Sequence, residues 1–117
     1  GVHGLSNALL NTPWPKVESG KQEFSELISK KELSIEDLFS LLKNENRAKD
    51  HQLPNTGIGI ERERVLSSRF IKSPGYGTRC STIILINQQN EVNFIERTYD
   101  LITFDYTEKT YQFICNG

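Results

Sequence analysis

The longest apolar run in the chain constrains its fold more than any other feature. Residues 83–86 read IILI, and consecutive, mostly β-branched apolar residues are typical of a strand that is covered on both faces. The polar stretch 87–90 (NQQN) follows as a turn, and apolar and polar residues then alternate over 92–97. The sequence therefore predicts a central β-hairpin in the C-terminal half of the chain.

Two amphipathic helices are predicted before this hairpin. From Lys16 onward, apolar residues recur at helical spacing, although Gly20 weakens the helix by about 1 kcal/mol relative to alanine. A second helix is predicted to begin at Ser34, because Asp37 follows three residues later in a pattern similar to a capping box.

Turn-forming and charged residues separate these helices from the hairpin. The charged stretch 43–50 (KNENRAKD) is predicted to be solvated surface. Residues 51–59 contain a proline and two glycines and are predicted to form a long loop or lid. Residues 65–71 (VLSSRFI) fit either a helix or a strand, and we favour a strand.

The fold class that follows is α+β. Residues 101–106 and 111–115 are predicted to be two further strands joined by 107–110, which completes a four-stranded antiparallel meander. The two helices are expected to cover one face of this sheet. At the other end of the chain, residues 4–10 are predicted to form a short strand that leads into a rigid turn at 11–15, where two prolines stand.

Composition excludes several classes of protein. At 117 residues, the chain is long enough for a single domain with its own core. Its 14 basic and 15 acidic residues give a net charge of −1, so we expect no nucleic-acid partner. No apolar run approaches the roughly 20 residues of a membrane-spanning helix, and no export signal stands at the start. We expect a cytoplasmic protein.

The few potential metal ligands are scattered along the chain. Cys80 and Cys115 form no Cys-x-x-Cys motif, and His3 and His51 have no carboxylate or thiol at ligand spacing. We therefore expect no metal, no cofactor and no structural disulfide. The sequence contains no methionine even at position 1, and we expect it to be a fragment of a longer protein.

Three blocks of the sequence resemble one known family. They are residues 4–16 (GLSNALLNTPWPK), residues 66–71 (LSSRFI), and residues 76–82 (YGTRCST) together with 96–98 (ERT). In this order they are similar to the NRDE family, also called the transport and Golgi organisation protein 2 family. The Asn-Arg-Asp-Glu motif of that family and its cysteine at the second position are absent, so the resemblance is to the C-terminal half.

The resemblance implies a fold and a set of site residues. Family members are similar to N-terminal-nucleophile hydrolases, so the chain would form half of an αββα sandwich. Asn7 resembles an asparagine that stabilises an oxyanion. Arg79, or alternatively Arg69, resembles the arginine near the nucleophile that lowers its pKa or binds a substrate carboxylate. Tyr76 and Trp14 are expected to line an apolar pocket.

Each of these assignments has a structural alternative. Asn7 would instead cap a turn, and Arg79 would pair with Glu96 or Glu61. Trp14 lies between two prolines and fits a packing anchor as well as a ligand-stacking ring.

Three functions are compatible with the resemblance. The first is an amide or acyl hydrolase in the intact protein, with this half supplying the oxyanion and substrate-binding groups. Gly1 has no side-chain nucleophile, so the chain alone is expected to be inactive. The second is a binding or trafficking protein that handles haem or acyl lipids in Golgi organisation or secretion, and the third is a structural fragment without activity. The expected partners are a small-molecule or acyl ligand, and either the missing N-terminal half or a second copy.

Overall fold

The computed structural model of the protein describes residues 1–116 and divides the chain into two compact units. The first unit, Gly1–Ser73, contains three α-helices, and the second contains an antiparallel sheet of three strands. Two short strands, β1 (Lys72–Ser73) and β2 (Tyr76–Gly77), flank the boundary along the chain. The α+β class with an antiparallel sheet is thereby confirmed.

The first helix, α1 (Pro15–Ile28), begins where the sequence predicts. Pro15 stands at the first helical position, where its missing N–H would have no partner and its fixed φ suits the helix. Trp14 precedes it in an extended conformation with φ −68° and ψ 148°. The helix ends at Ile28, and the hydroxyl of the following residue, Ser29, donates to the carbonyl of Glu26 at 2.7 Å.

The second helix, α2 (Ile35–Leu42), has the predicted start, since the Ser34 hydroxyl accepts a hydrogen bond from the backbone N–H of Asp37 at 3.4 Å. Its apolar side packs against α1. Phe39 and Phe70 are both only 1% exposed and are the largest fully buried side chains of the first unit. The buried apolar side chains of this unit are Val17, Leu38, Phe39, Leu41 and Phe70.

The prediction of a strand over 65–71 is wrong, because α3 (Ile60–Leu66) extends into that segment. Arg64 binds Glu61, one helical turn earlier, at 2.6 Å, which is the spacing of neighbours on a helix surface. Buried Glu63 accepts hydrogen bonds from the backbone N–H of Thr56 at 2.9 Å and from its hydroxyl at 2.5 Å. These side-chain bonds favour the helix over the β-propensity of Val65. The preceding stretch is irregular apart from a 3₁₀ turn (Asp50–Gln52), as predicted.

The opening segment is a turn, so the strand predicted for residues 4–10 is wrong. Asn11 has φ 59°, its backbone N–H donates to the carbonyl of Gly4 at 2.7 Å, and its side-chain oxygen accepts from the N–H of Gly4 at 2.8 Å. An asparagine side chain that binds the local backbone competes with strand formation. The residue that closes this turn is Asn11 and not Asn7.

The second unit contains β3 (Cys80–Ile86), β4 (Glu91–Tyr99) and β5 (Tyr106–Ile114), hydrogen-bonded in that order. The predicted β3–β4 hairpin is confirmed. Its turn is closed by Asn87, whose side-chain oxygen accepts from the N–H of Gln89 at 3.0 Å and of Glu91 at 2.9 Å. The buried apolar residues of this unit are Ile83, Val92, Ile95 and Tyr99.

Strand β3 is covered on one face only, which contradicts the prediction from its apolar run. Ser81 and Ile83 are buried, whereas Ile84 is 54% exposed and Ile86 is 62% exposed. Isoleucine favours strands on either face because of its branched side chain, so the run indicates strand propensity and not double burial.

The sheet has three strands because residues 101–105 form a turn. The side-chain oxygen of Asp100 accepts from the N–H groups of Ile102 at 2.8 Å and Thr103 at 2.9 Å, and these bonds lower the pKa of Asp100. Phe104 adopts φ 58°. This turn outweighs the β-propensity of the segment. The predicted linker 107–110 consequently lies inside β5.

Replacing Gly20 by alanine is expected to stabilise α1 by about 0.5–1 kcal/mol, because glycine loses more backbone entropy in a helix. The added Cβ would lie 3.4 Å from Cδ of Arg69, an ordinary contact. Gly57→Ala is the matched control and should destabilise, because Gly57 has φ 86°. Urea unfolding of both variants measures the two effects, and a lower stability of Gly20→Ala would contradict this account of α1.

Candidate functional site

A polar cleft of about 750 Å³ lies in the first unit between α1 and the segments on either side of α3. Its lining includes four basic side chains and two acidic ones, Glu18 and Glu23. The basic side chains therefore outnumber the acidic ones by two. The basic residues are Lys16, Lys21, Arg47 and Arg69.

Arg69 is more buried than the other ion-paired side chains of this cleft, which are Glu18, Lys21 and Glu23. Its side chain is 13% exposed, and its Nη2 donates to a carboxylate oxygen of Glu23 at 2.5 Å. Its Nη1 is fully buried and has no hydrogen-bond partner among the described residues. A buried N–H without an acceptor costs free energy, and more so when the group is charged. The guanidinium would therefore gain from an additional acceptor.

Lys16 lies at the start of α1 on the same cleft. Its Nζ donates to the carbonyl of Leu66, at the end of α3, at 3.0 Å. Burial lowers the pKa of Lys16 from its ordinary value, because burial disfavours the charged form. This hydrogen bond ties α1 to the segment that carries Arg69.

The opposite wall of the cleft is held by hydrogen bonds to the segment after α3. The N–H of Phe70 donates to the carbonyl of Asn44 at 2.9 Å, and the N–H of Ala48 donates to the hydroxyl of Ser67 at 3.0 Å. Residues 44–48, predicted to be solvated surface, therefore form part of a wall.

A second pairing fixes the end of that wall. Arg64 donates through Nε and Nη2 to the two carboxylate oxygens of Asp50, at 2.9 Å and 2.7 Å. The Arg64 guanidinium lowers the pKa of Asp50, and the carboxylate in turn raises the pKa of Arg64. Two parallel bonds of this kind set orientation as well as distance.

The structure places three of the five predicted site residues in the first unit. Arg69 lines the cleft. Trp14 is half-buried and immediately precedes Pro15, which also lines it. Asn7 is exposed, on the bend between Gly4 and Asn11.

The other two predicted site residues, Tyr76 and Arg79, belong to the second unit, and both are exposed. The two predicted alternative partners of Arg79, Glu61 and Glu96, each bind another residue. Glu61 binds Arg64 at 2.6 Å, and Glu96 accepts from the Thr82 hydroxyl at 3.2 Å. The convergence of Asn7 and Arg79 on one pocket stays a prediction.

The histidines, cysteines and carboxylates of the described residues form no metal site. Within residues 1–116, no group of three or more histidine, cysteine, aspartate or glutamate side chains is arranged to hold a metal ion. Cys80 and Cys115 are free and exposed. The same residues include no helix with the length and apolar character needed to cross a membrane.

Sequence reasoning identified Arg69 but missed the side chains that complete its cleft. Lys16 and Arg69 stand in two of the family-like blocks, GLSNALLNTPWPK and LSSRFI, and their presence in those blocks was the available signal. Arg47 lies in a charged stretch and reaches the cleft only because the fold brings residues 44–48 beside α1.

Comparison with known proteins agrees with the resemblance. Residues 1–101 match the family model for Transport and Golgi organisation 2. The chain is 38% identical to the human (Homo sapiens) Transport and Golgi organization protein 2 homolog, over 97% of this chain and 44% of that protein. It is 37% identical to the Bos taurus homolog over 84% of the chain and 38% of that protein.

A more distant relative extends the comparison to insects. The Drosophila melanogaster Transport and Golgi organization protein 2 is 33% identical over 82% of this chain and 36% of its own length. The chain thus spans less than half the length of the curated relatives it matches. The match of the family model over most of the chain and these identities show that the chain belongs to the Transport and Golgi organisation 2 family.

Proposed function

We propose that the chain is a binding module and that its Arg69 cleft holds the phosphate or carboxylate group of a small ligand. The observation that carries this proposal is the buried Nη1 of Arg69, which lacks an acceptor in a cleft where basic side chains outnumber acidic ones. A guanidinium presents parallel N–H groups that match the oxygens of a carboxylate or phosphate.

In this proposal, the ligand exchanges with Glu23. The Glu23 side chain is 41% exposed and holds only one of the two terminal nitrogens of Arg69. An incoming anion displaces this carboxylate into solvent and accepts hydrogen bonds from both Nη1 and Nη2. Lys16 adds positive charge at the α1 end of the cleft, although its Nζ is already bonded to Leu66.

The names of the relatives support a binding role more directly than a catalytic one. They are Transport and Golgi organization proteins, and we propose that this chain serves a function of that kind. Acyl-coenzyme A and haem are two ligand classes that combine an apolar part with phosphate or carboxylate groups. Either would present the anion that the cleft is proposed to hold.

Arg69→Gln is expected to weaken binding by about 10- to 100-fold, because a hydrogen bond to a charged group contributes about 1.5–3 kcal/mol. Titrations with inorganic pyrophosphate, long-chain acyl-coenzyme A and haem measure the affinities by calorimetry. Trp14, the single tryptophan, adjoins Pro15 of the cleft and reports occupancy by fluorescence. The Glu23→Gln variant should bind the ligand more tightly, because the side chain that competes with the ligand for Arg69 loses its negative charge.

Arg62→Gln is the matched control for these titrations. Arg62 is an exposed arginine on α3 and does not line the cleft, so its loss should leave the affinity unchanged. Equal weakening by Arg62→Gln and Arg69→Gln would indicate attraction by net charge alone. Unchanged binding in Arg69→Gln would rule out the proposed site.

Hydrolase activity of a longer family protein is a second proposal, supported by the exposure of Asn7 and Arg79. The turn around Asn7 is closed by Asn11, so the Asn7 amide is not required to close it. Arg79 precedes β3 with an exposed side chain. A cysteine-directed acyl probe tests this proposal in a family protein of full length. Failure to label the cysteine at its second position would count against hydrolase chemistry.

A further inference from the structure

Within the described residues 1–116, strand β5 is the outer strand of the sheet and is exposed along its whole length. The strand order is β3–β4–β5, and all nine residues of β5 are exposed. The strand contains no proline that would block an outer hydrogen bond. An edge strand of this length presents backbone groups that can pair with another chain.

The phase of β5 determines which backbone groups face outward. The N–H of Cys115 donates to the carbonyl of Asn90 at 2.8 Å, and the carbonyl of Asp105 accepts from the N–H of Asp100 at 2.9 Å. These two odd-numbered residues flank β5, and their backbone groups face the β4 side. The backbone N–H and C=O groups of successive residues in a strand point to opposite edges. The even-numbered residues of β5 therefore direct their N–H and C=O groups away from β4. These residues are Tyr106, Glu108, Thr110, Gln112 and Ile114.

We propose that β5 pairs antiparallel with β5 of a second copy of this chain, with Thr110 on the two-fold axis. Thr110 is the central residue of the nine-residue strand, so this register overlaps the two strands completely. The five outward residues of each strand would form about ten inter-chain hydrogen bonds. The interface uses the same surface on both copies, as two-fold dimers do.

The side chains favour this register over the neighbouring ones. With Thr110 on the axis, threonine faces threonine, Tyr106 faces Ile114, and Glu108 faces Gln112. Threonine pairs and aromatic pairs with β-branched residues are favourable across strands. A shift of the axis to Lys109 or Glu108 would place two like charges directly opposite each other, which destabilises a sheet. The bond between Glu108 and Arg97 at 3.0 Å uses only the side chain of Glu108 and leaves its outward backbone groups available.

A charge-swap experiment at Thr110 tests this interface. Sedimentation velocity of the chain, with a reductant present because Cys80 and Cys115 are exposed, should show a monomer–dimer equilibrium. Thr110→Lys and Thr110→Asp should each weaken the dimer by about tenfold or more, since like charges meet on the axis. An equimolar mixture of the two variants should restore the dimer as a heterodimer.

Thr110→Val is the control that keeps the outward N–H and the β-branched shape, so it should dimerise like the unmodified chain. Far-UV circular dichroism verifies that all three variants retain the sheet. A chain that sediments as a monomer up to about 1 mM, the weak end of measurable association, would overturn the proposal. A dimer that both charged variants leave intact would overturn it as well, because association would then use another surface.

Discussion

Phe39→Ala is expected to lower the free energy of unfolding by about 3–5 kcal/mol, because a fully buried phenyl ring is removed and a cavity remains. Phe39 is 1% exposed on α2, whose apolar side packs against α1. Small domains have only about 5–15 kcal/mol of stability, so this single change should remove a large share of it. Urea unfolding followed by Trp14 fluorescence reports the loss in the first unit.

Two comparisons make this expectation specific to the core. Phe39→Leu keeps most of the apolar volume and should cost much less than Phe39→Ala. Ile58→Ala removes an exposed side chain outside the helices and should change stability by no more than about 0.5 kcal/mol. Equal losses in Phe39→Ala and Ile58→Ala would mean that Phe39 is not a core residue.

Gly4→Ala is expected to destabilise the first unit by about 1–3 kcal/mol through overpacking. A Cβ on Gly4 would lie 2.7 Å from Cγ1 of Val17, a buried side chain of α1, so the opening segment or the helix would have to move. It would also lie 3.2 Å from Cγ of Lys21, but that side chain is long and can rotate away. Thermal unfolding measures the effect.

A double mutant separates this clash from a general loss of backbone freedom. Val17→Ala removes Cγ1 and provides the space that the new Cβ needs. In the presence of Val17→Ala, Gly4→Ala should therefore cost less than it does alone, which is the non-additivity expected of residues in contact. Additive effects would contradict the contact between the opening segment and α1.

Local signals in the sequence predicted the elements whose ends are set by a single residue. Pro15 and Ser34 mark the starts of α1 and α2, and the turn that Asn87 closes marks the hairpin. Prediction failed where a side chain redirected the backbone against its propensity. Asn11 converted a strand-like segment into a closed turn, and Asp100 did the same after β4.

The candidate site was predictable only in part, because its walls come from distant parts of the chain. Arg69 was identified through a family-like block, but its partner Glu23 lies 46 residues earlier along the chain. Arg47 belongs to a charged stretch that resembles ordinary surface. Neither periodicity nor spacing indicates that these residues face one cleft, since packing of α1 against later segments decides it.

We expect Arg69, rather than Arg79, to receive the anion of a ligand. Nuclear magnetic resonance of the chain with ¹⁵N-labelled arginine side chains follows both guanidinium groups while pyrophosphate is added. We expect the Nε–H signal of Arg69 to shift with saturation and that of Arg79 to stay in place. A saturable shift at Arg79 with an unchanged Arg69 signal would contradict the claim.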